Sequence, residues 1–451
     1  MDRTESSDGK SPAENRPAQE RPHDPYAAFR FRNFRRYITG NFLSIVGVQM
    51  QTAAVIKELY DRTGKPLSLA LIGLVQVLPV LGLALVAGHV ADRYNRRYVI
   101  MAAVSTMSVA SLSMAFISYG QAPVSLAYAC LFATGLARAF QQPAKSAILP
   151  NLVPRRIFAN AVTWNMSAFQ LASVVGPAAA GVVMGVTKSY AAVYLCAASF
   201  ALCFVGVLTQ IRYRRQSVQP QPFNKENLSA GIKFVWQNKV IFAATMLDMF
   251  GVLLGAAIAL IPIYAKDILK VDDFGYGVMM AAPAAGAVLM SFVLSHRPPM
   301  KNAGRSLLLA VTGFGIATIV FGYSTSFPLS VAMLFLTGVF DNISVVVRHS
   351  LIQLLTPDQM RGRVSAVNGM FISVSNDVGD IESGAVAQAT TPVFAAVSGG
   401  LGTLVVVGII AWLFPQLRRY GRLDSHEAAE MMNPIETAEK LIEIAEGKKA
   451  K

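Results

Sequence analysis

Charge is scarce in this chain. Only 15% of its 451 residues are Asp, Glu, Lys or Arg, where a soluble protein carries about 25%. Cysteine is scarcer still. Cys130, Cys196 and Cys203 all lie in apolar runs without paired loop spacing. That excludes a disulfide framework or a thiolate metal site, and they read as small packing residues. The five histidines (His23, His89, His296, His349 and His426) are scattered, and only His349 falls clearly at the end of an apolar run, a structural position. With no metal-ligand cluster, no Ser/His/Asp arrangement and no glycine loop for phosphate, an enzyme, a metal and a cofactor are not expected. Residues 1–28 hold no apolar core that a signal peptidase could follow. Rich in Pro, Glu, Ser and Arg, they read as a disordered cytoplasmic tail.

What the chain does have is apolar sequence, at 53% of its residues. Twelve runs are long enough to cross a bilayer. Six lie near 37–57, 68–90, 98–118, 124–145, 159–186 and 191–210, and six near 240–264, 274–295, 306–323, 328–350, 364–388 and 392–414. The short connections leave one architecture: an all-α polytopic membrane protein with twelve transmembrane helices in two six-helix bundles. The expected parts are a cytoplasmic tail over 1–36, bundles over 37–210 and 240–414, a linker over 211–239, and a C-terminal tail over 415–451. In the linker, Leu228, Ile232, Val235 and Trp236 recur at helical spacing, as in an amphipathic helix on the inner leaflet. Pro434 to Glu446 reads as a short surface helix with Glu436 and Lys440 paired.

Net charge is +14, but its distribution speaks against nucleic acid. With the N-terminus inside, 32 of the 40 Lys and Arg residues fall on the cytoplasmic side and six outside; Arg138 and Arg348 lie within spans. That bias orients both termini to the cytoplasm and suits contact with anionic lipid. An offset of 203 residues aligns Pro154 with Pro357, Asn165 with Asn368, Gly176 with Gly379 and Gly181 with Gly384. It also lays span 5 on span 11, as a duplicated unit requires.

Ionisable groups within spans are costly and mark function. Thr134, Arg138 and Gln141 share one face of span 4; Asn41, Ser44 and Gln51 form a stripe on span 1, and Gln170 belongs to span 5. Together they predict a polar, water-filled cavity. The second half carries Asp248 in span 7, Asp341 and Arg348 seven apart on one face of span 10, and Asp377, Asp380 and Glu382 in span 11. A buried carboxylate with a movable arginine nearby can bind and release protons, so Asp248, Asp341, Arg348, Asp380 and Glu382 are the proton-coupling candidates. Asp380 and Glu382 point to opposite sides of a straight helix, a constraint that a break at Gly379 or Gly384 would relax. Structural ion pairing is the competing role for each acid. Gly176, Pro177 and Gly181 in span 5 form a candidate kink.

One stretch ties these parts together. Gly88, Asp92, Arg93, Arg96 and Arg97 sit where span 2 ends. Read alone they are a positive-inside stop. As Gly-x-x-x-Asp-Arg-x-x-Arg-Arg between spans 2 and 3, they resemble the signature loop of the major facilitator superfamily. Gly176-Pro177 resembles part of the antiporter motif of its exporters, with Ala179 and Ala180 at positions where the usual pattern has glycine. After span 8, His296 to Arg305 keeps positive charge without the aspartate. Ala147 to Pro154, Pro357 to Ser365 and Ser375 to Gly384 resemble the enterobactin-exporter-like branch of bacterial efflux transporters. The resemblance implies a bacterial inner-membrane protein exporting siderophores, macrolides or similar amphiphiles in exchange for protons. It implies a gate in which Asp92 and its arginines hold the cytoplasmic ends of the halves together in the outward-facing state. A monomer with a small-molecule substrate is expected. The alternatives are an uptake symporter of the same fold and a membrane receptor or scaffold without transport.

Overall fold

The computed structural model describes residues 24–211, 232–255, 257–297, 300 and 302–421; the surroundings of a few residues inside helices, Gly88 and Asp92 among them, lie outside that description. So do the C-terminal segment predicted as a surface helix and the linker before residue 232. The described chain is helical and holds no strand. In order, α1 spans Arg32–Thr63, α2 Leu67–Arg93, α3 Arg96–Tyr119, α4 Val124–Ile148, α5 Phe158–Thr187, α6 Tyr190–Thr209 and α7 Lys239–Leu254. Then come α8 Asp273–Ser295, α9 Ala303–Tyr323, α10 Phe327–Leu355, α11 Asp358–Ala389, α12 Pro392–Leu413 and the short α13 Pro415–Arg419.

The helix ends are written in the sequence. Asn95, Asn238, Asp272 and Thr391 open α3, α7, α8 and α12, and each accepts backbone N–H groups that the first turn leaves unpaired. Gly64 closes α1 at φ 62°, a left-handed turn that favours glycine. Among the described residues, eight helical stretches are long and apolar enough to cross a membrane: α3, α5, α6, Lys239–Ile268, α8, α9, α10 and α12.

Span 7, predicted as one run over 240–264, is instead broken. α7 stops at Leu254, and the chain continues through a 3-10 turn at Ile258–Leu260 and a π turn at Tyr264–Ile268. Gly255 weakens the helix there, and Pro262 has no N–H to carry its hydrogen bonding onward. The Gly251 carbonyl near the break accepts from the Gly255 N–H at 3.1 Å and from the Thr403 hydroxyl of α12 at 3.1 Å. α11, by contrast, runs unbroken through Gly379 and Gly384.

The packing repeats itself. α1 packs on α5 and α6, α2 on α4, and α3 on α4 and α6; α7 packs on α11 and α12, α8 on α10, and α9 on α10 and α12. Each pairing thus recurs six helices later. Two crossings join the sets, α5 on α8 and α2 on α11, and they also correspond. A Cβ at Gly181 of α5 would stand 2.7 Å from the Gly277 Cα and 2.8 Å from the Asp273 carbonyl of α8; one at Gly384 of α11 would stand 2.9 Å from the Ala70 nitrogen and 3.2 Å from the Pro66 carbonyl of α2. Gly181 and Gly384 are partners under the offset of 203, and so are Ala70 and Asp273. The offset therefore maps one close approach onto the other.

These distances leave no room for a side chain at the crossings. Gly181→Val should lower stability by about 1–3 kcal/mol, the usual cost of overpacking. Gly185→Val, whose Cβ would meet nothing nearer than 3.9 Å, should be near neutral. Thermal unfolding of the purified protein in detergent checks the pair, and equal loss at both positions would contradict the crossing geometry.

Candidate functional site

The deepest charge pair lies in the second set of helices. Arg348 of α10 is only 1% exposed and forms an ion pair with the buried Asp248 of α7. One turn before Arg348, the Ser344 hydroxyl stands 3.5 Å from the other carboxylate oxygen. Desolvating two charges is costly, and their attraction offsets that cost only when the pair is intact. The Nε of Arg348 has no hydrogen-bond partner among the described residues, so the guanidinium is not saturated. Asp341 shares the pocket: with Asp248 and Ser344 it lines a small space closed by Phe314 and Phe340. The two residues placed on one face of span 10 do not touch. Arg348 reaches Asp248, and Asp341 faces Asp248 across the pocket.

The arginine predicted within span 4 stands at the seam between the sets. Arg138 of α4 donates to the Gln76 side chain of α2 at 3.0 Å and lies within electrostatic reach of Asp377 of α11. Gly73, one turn from Gln76, packs there: its Cβ would stand 3.2 Å from the Asp377 carbonyl and 3.8 Å from the Asp380 Cβ. Asp380 thus sits where α2 meets α11. Glu382, on the other side of the unbroken α11, accepts from the Ser383 hydroxyl at 3.4 Å.

The polar face expected to line a cavity is packed in this structure. Asn41, Ser44, Gln51, Thr134 and Gln141 are all buried, and Arg138 and Gln170 are half-buried. Asn41 donates to Asn165 at 3.2 Å, and Gln51 accepts from Ser111 at 2.5 Å. Pro177 lies inside the continuous α5. Gly176 is packed against Gln49 and Val46 of α1, so the glycines at both ends of the predicted kink mark helix crossings.

The loop after α2 is the tight turn Tyr94–Asn95. Arg96 and Arg97 work within their own set. Arg97 donates to the carbonyls of Thr209 and Ile211 at 2.9 and 3.0 Å, and Arg36 to that of Gln210 at 2.9 Å. Both cap the C-terminus of α6, where carbonyls lack partners and cations are favoured. Arg96 donates to Ala147 at the end of α4 at 2.8 Å.

At the opposite end of the helices stands a charge cluster that the sequence reading missed. Lys57 of α1 pairs with Asp61 one turn on, at 2.8 Å, and with Asp273 of α8, at 3.0 Å. Its ammonium also donates to the Tyr190 hydroxyl at 3.1 Å, and Tyr190 in turn donates to Asp61. Lys266 pairs with Asp61 at 3.0 Å, and the Tyr60 hydroxyl donates to Asp267. Burial alone would raise the Asp61 carboxyl, but hydrogen bonds from Lys57, Tyr190 and Lys266 outweigh it and hold Asp61 below the usual range. Its contribution is therefore present above the ordinary carboxylate range and lost only as pH falls below it. The one local signal was the i,i+4 spacing of Lys57 and Asp61.

Comparison with known proteins fits this geometry. Residues 23–444 match the family described as transmembrane secretion effector. The enterobactin exporter EntS of Escherichia coli O1:K1 is 26% identical over 392 residues, covering 86% of this chain and 93% of the relative. The enterobactin exporter EntS of Shigella boydii serotype 18 matches to the same extent, 26% over 392 residues. Among solved structures, a bacterial homologue of the human lysosomal transporter Spinster in an inward-facing, occupied conformation superposes with a TM-score of 0.66 at 13% identity, covering 88% of this chain and 98% of that one. A POT family transporter in complex with 5-aminolevulinic acid gives 0.66 at 12% identity, covering 86% and 97%. At such identities the structures speak for the fold alone.

The buried pair makes a clear energetic prediction. Arg348→Met leaves the Asp248 carboxylate buried without its partner and should cost about 3–5 kcal/mol. Adding Asp248→Asn should recover most of the loss, since a neutral amide there needs no counter-ion. Thermal unfolding of the single and double variants decides. A double variant no more stable than the single one would refute a charge-based role for the pair.

Proposed function

This chain belongs to the transmembrane secretion effector family of major facilitator transporters, and we propose that it exports a small amphiphilic organic molecule, siderophore-like or drug-like, in exchange for protons. The observation that carries the export reading is the likeness to enterobactin exporters across 86% of the chain. The duplicated packing supports twelve spanning helices in two six-helix bundles, over 37–210 and 240–414, that move against each other as a monomer. The excess of Lys and Arg supports cytoplasmic termini in a bacterial inner membrane, with anionic lipid against the basic face. In that orientation the Lys57 end lies outside.

The chemistry is protonation and pairing, without covalent steps. Asp248 holds Arg348 while it is ionised. A proton on Asp248 removes the reason for the pair, and Asp341, seven residues before Arg348 on α10 and too far from it to pair directly, lines the pocket beside Asp248 and can share a partner or water with the pair. Asp380, at the seam of α2 and α11, can pass such a local change between the bundles, with Glu382 on the far side of the helix. Gly88, Asp92, Arg93, Arg96 and Arg97 act as the conformational gate at the cytoplasmic end, where Arg96 and Arg97 already fix the ends of α4 and α6. The polar face of Asn41, Ser44, Gln51, Thr134, Arg138, Gln141 and Gln170 opens toward substrate when the bundles part, and Gly176, Pro177 and Gly181 flex α5.

Everted membrane vesicles given an inward-acid gradient, screened with siderophores and antibiotics, should accumulate the substrate. Accumulation only in right-side-out vesicles would replace export by uptake. Asp341→Asn and Asp380→Asn should each uncouple efflux from pH, and full coupling in both would remove them from the mechanism. Asp92→Asn should insert normally yet lose most transport; a wild-type rate would end its gating role.

A further inference from the structure

The charge cluster at the Lys57 end joins the two sets of helices. We propose that Lys57 and Asp273 form a lock that holds the outer ends of α1 and α8 together, and that its making and breaking sets how much of the protein is open on that side. The inference rests on the reading that the two bundles move against each other, and it is independent of substrate and transport direction.

Four observations carry it. First, the described polar bonds that cross between the sets concentrate here. Beyond Lys57–Asp273 and Lys266–Asp61, Tyr276 of α8 donates to the Ala53 carbonyl of α1 at 2.8 Å, and the Leu67 nitrogen of α2 to Gln388 of α11 at 3.3 Å. Second, the backbones touch beside it, at Gly181 against Gly277 and Asp273. Toward the other end, Gly82 of α2 and Gly362 and Gly369 of α11 meet nothing within 4 Å of a built Cβ among the described residues. Third, the pair is shielded: the side chains of Lys57 and Asp273 are 15% and 21% exposed, and the ammonium lies over the rings of Tyr190 and Tyr276 at 5.5 and 5.9 Å. Salt screens such a pair far less than a surface one.

The fourth observation makes the device reversible. Each charge keeps a partner on its own side once the pair parts. Lys57 retains Asp61 on the same helix, at 2.8 Å. Asp273 stays in the first turn of α8, next to the cap residue Asp272, where unpaired N–H groups favour an anion. Lys188, from the turn after α5 in the opposite set, reaches Asp273 across the seam at 3.7 Å. Opening therefore strands no bare charge in a buried site, which is what makes breaking most buried pairs prohibitive. Lys188 is 71% exposed, so its own pair should contribute little.

The test is a double-mutant cycle read as a distance. Spin labels go on Val186→Cys at the end of α5 and Leu329→Cys at the start of α10, in the full chain with Cys130, Cys196 and Cys203 replaced by alanine, reconstituted in lipid nanodiscs. Lys57→Gln and Asp273→Asn should each raise the ratio of long- to short-distance populations roughly tenfold, within the usual range for coupling between two states. The double variant should open no further than either single one. Lys188→Gln should leave the distribution unchanged. Unchanged distances in both single variants, or strictly additive effects, would overturn the lock. Were Lys57→Gln to insert poorly, Asp273→Asn compared with Lys188→Gln still decides, because they remove different partners of the same contact.

Discussion

A bilayer offers no solvent to a charge or to an unpaired backbone group, and the rest of this structure follows from that constraint. Two of the charges that persist inside have partners. Arg348 with Asp248 is the clearest case, and Arg138 on Gln76 beside Asp377 is the second. Where the backbone breaks, near Gly255, a threonine from a neighbouring helix bonds the carbonyl one turn back. A pair that must exist in order to be buried can also be undone by adding one proton. Structural ion pairing and proton coupling therefore draw on the same pair.

The two ends of the molecule use charge differently. At the end with the signature loop, arginines cap helix termini within their own set, so that α3, α4 and α6 end as a unit. At the other end, lysines and aspartates bind one set to the other. Rigidity within a set and reversible contact between sets are what a moving pair of bundles needs. The glycines at the crossings complete the arrangement by letting backbones meet without side chains between them.

Much of this was legible in the sequence. The stop after span 2 and the duplication through Gly181 and Gly384 both depend on local signals or on spacing. Two features did not show, each for a physical reason. Span 7 reads as one apolar run because hydropathy does not register the backbone cost of Gly255 and Pro262. The Lys57–Asp273 contact joins residues far apart in sequence on different helices, and no local pattern encodes it. Only the pairing of Lys57 with Asp61 left a trace.

Reciprocal motion of the two ends is the central claim. Hydrogen–deuterium exchange of the full chain in lipid nanodiscs, compared between mildly alkaline and mildly acidic buffer, tests it most directly. Peptides covering 53–66 and 262–277 should change protection in the direction opposite to those covering 88–97 and 357–366. Change of the same sign at both ends, or none at either, would contradict a transporter that opens alternately under proton control.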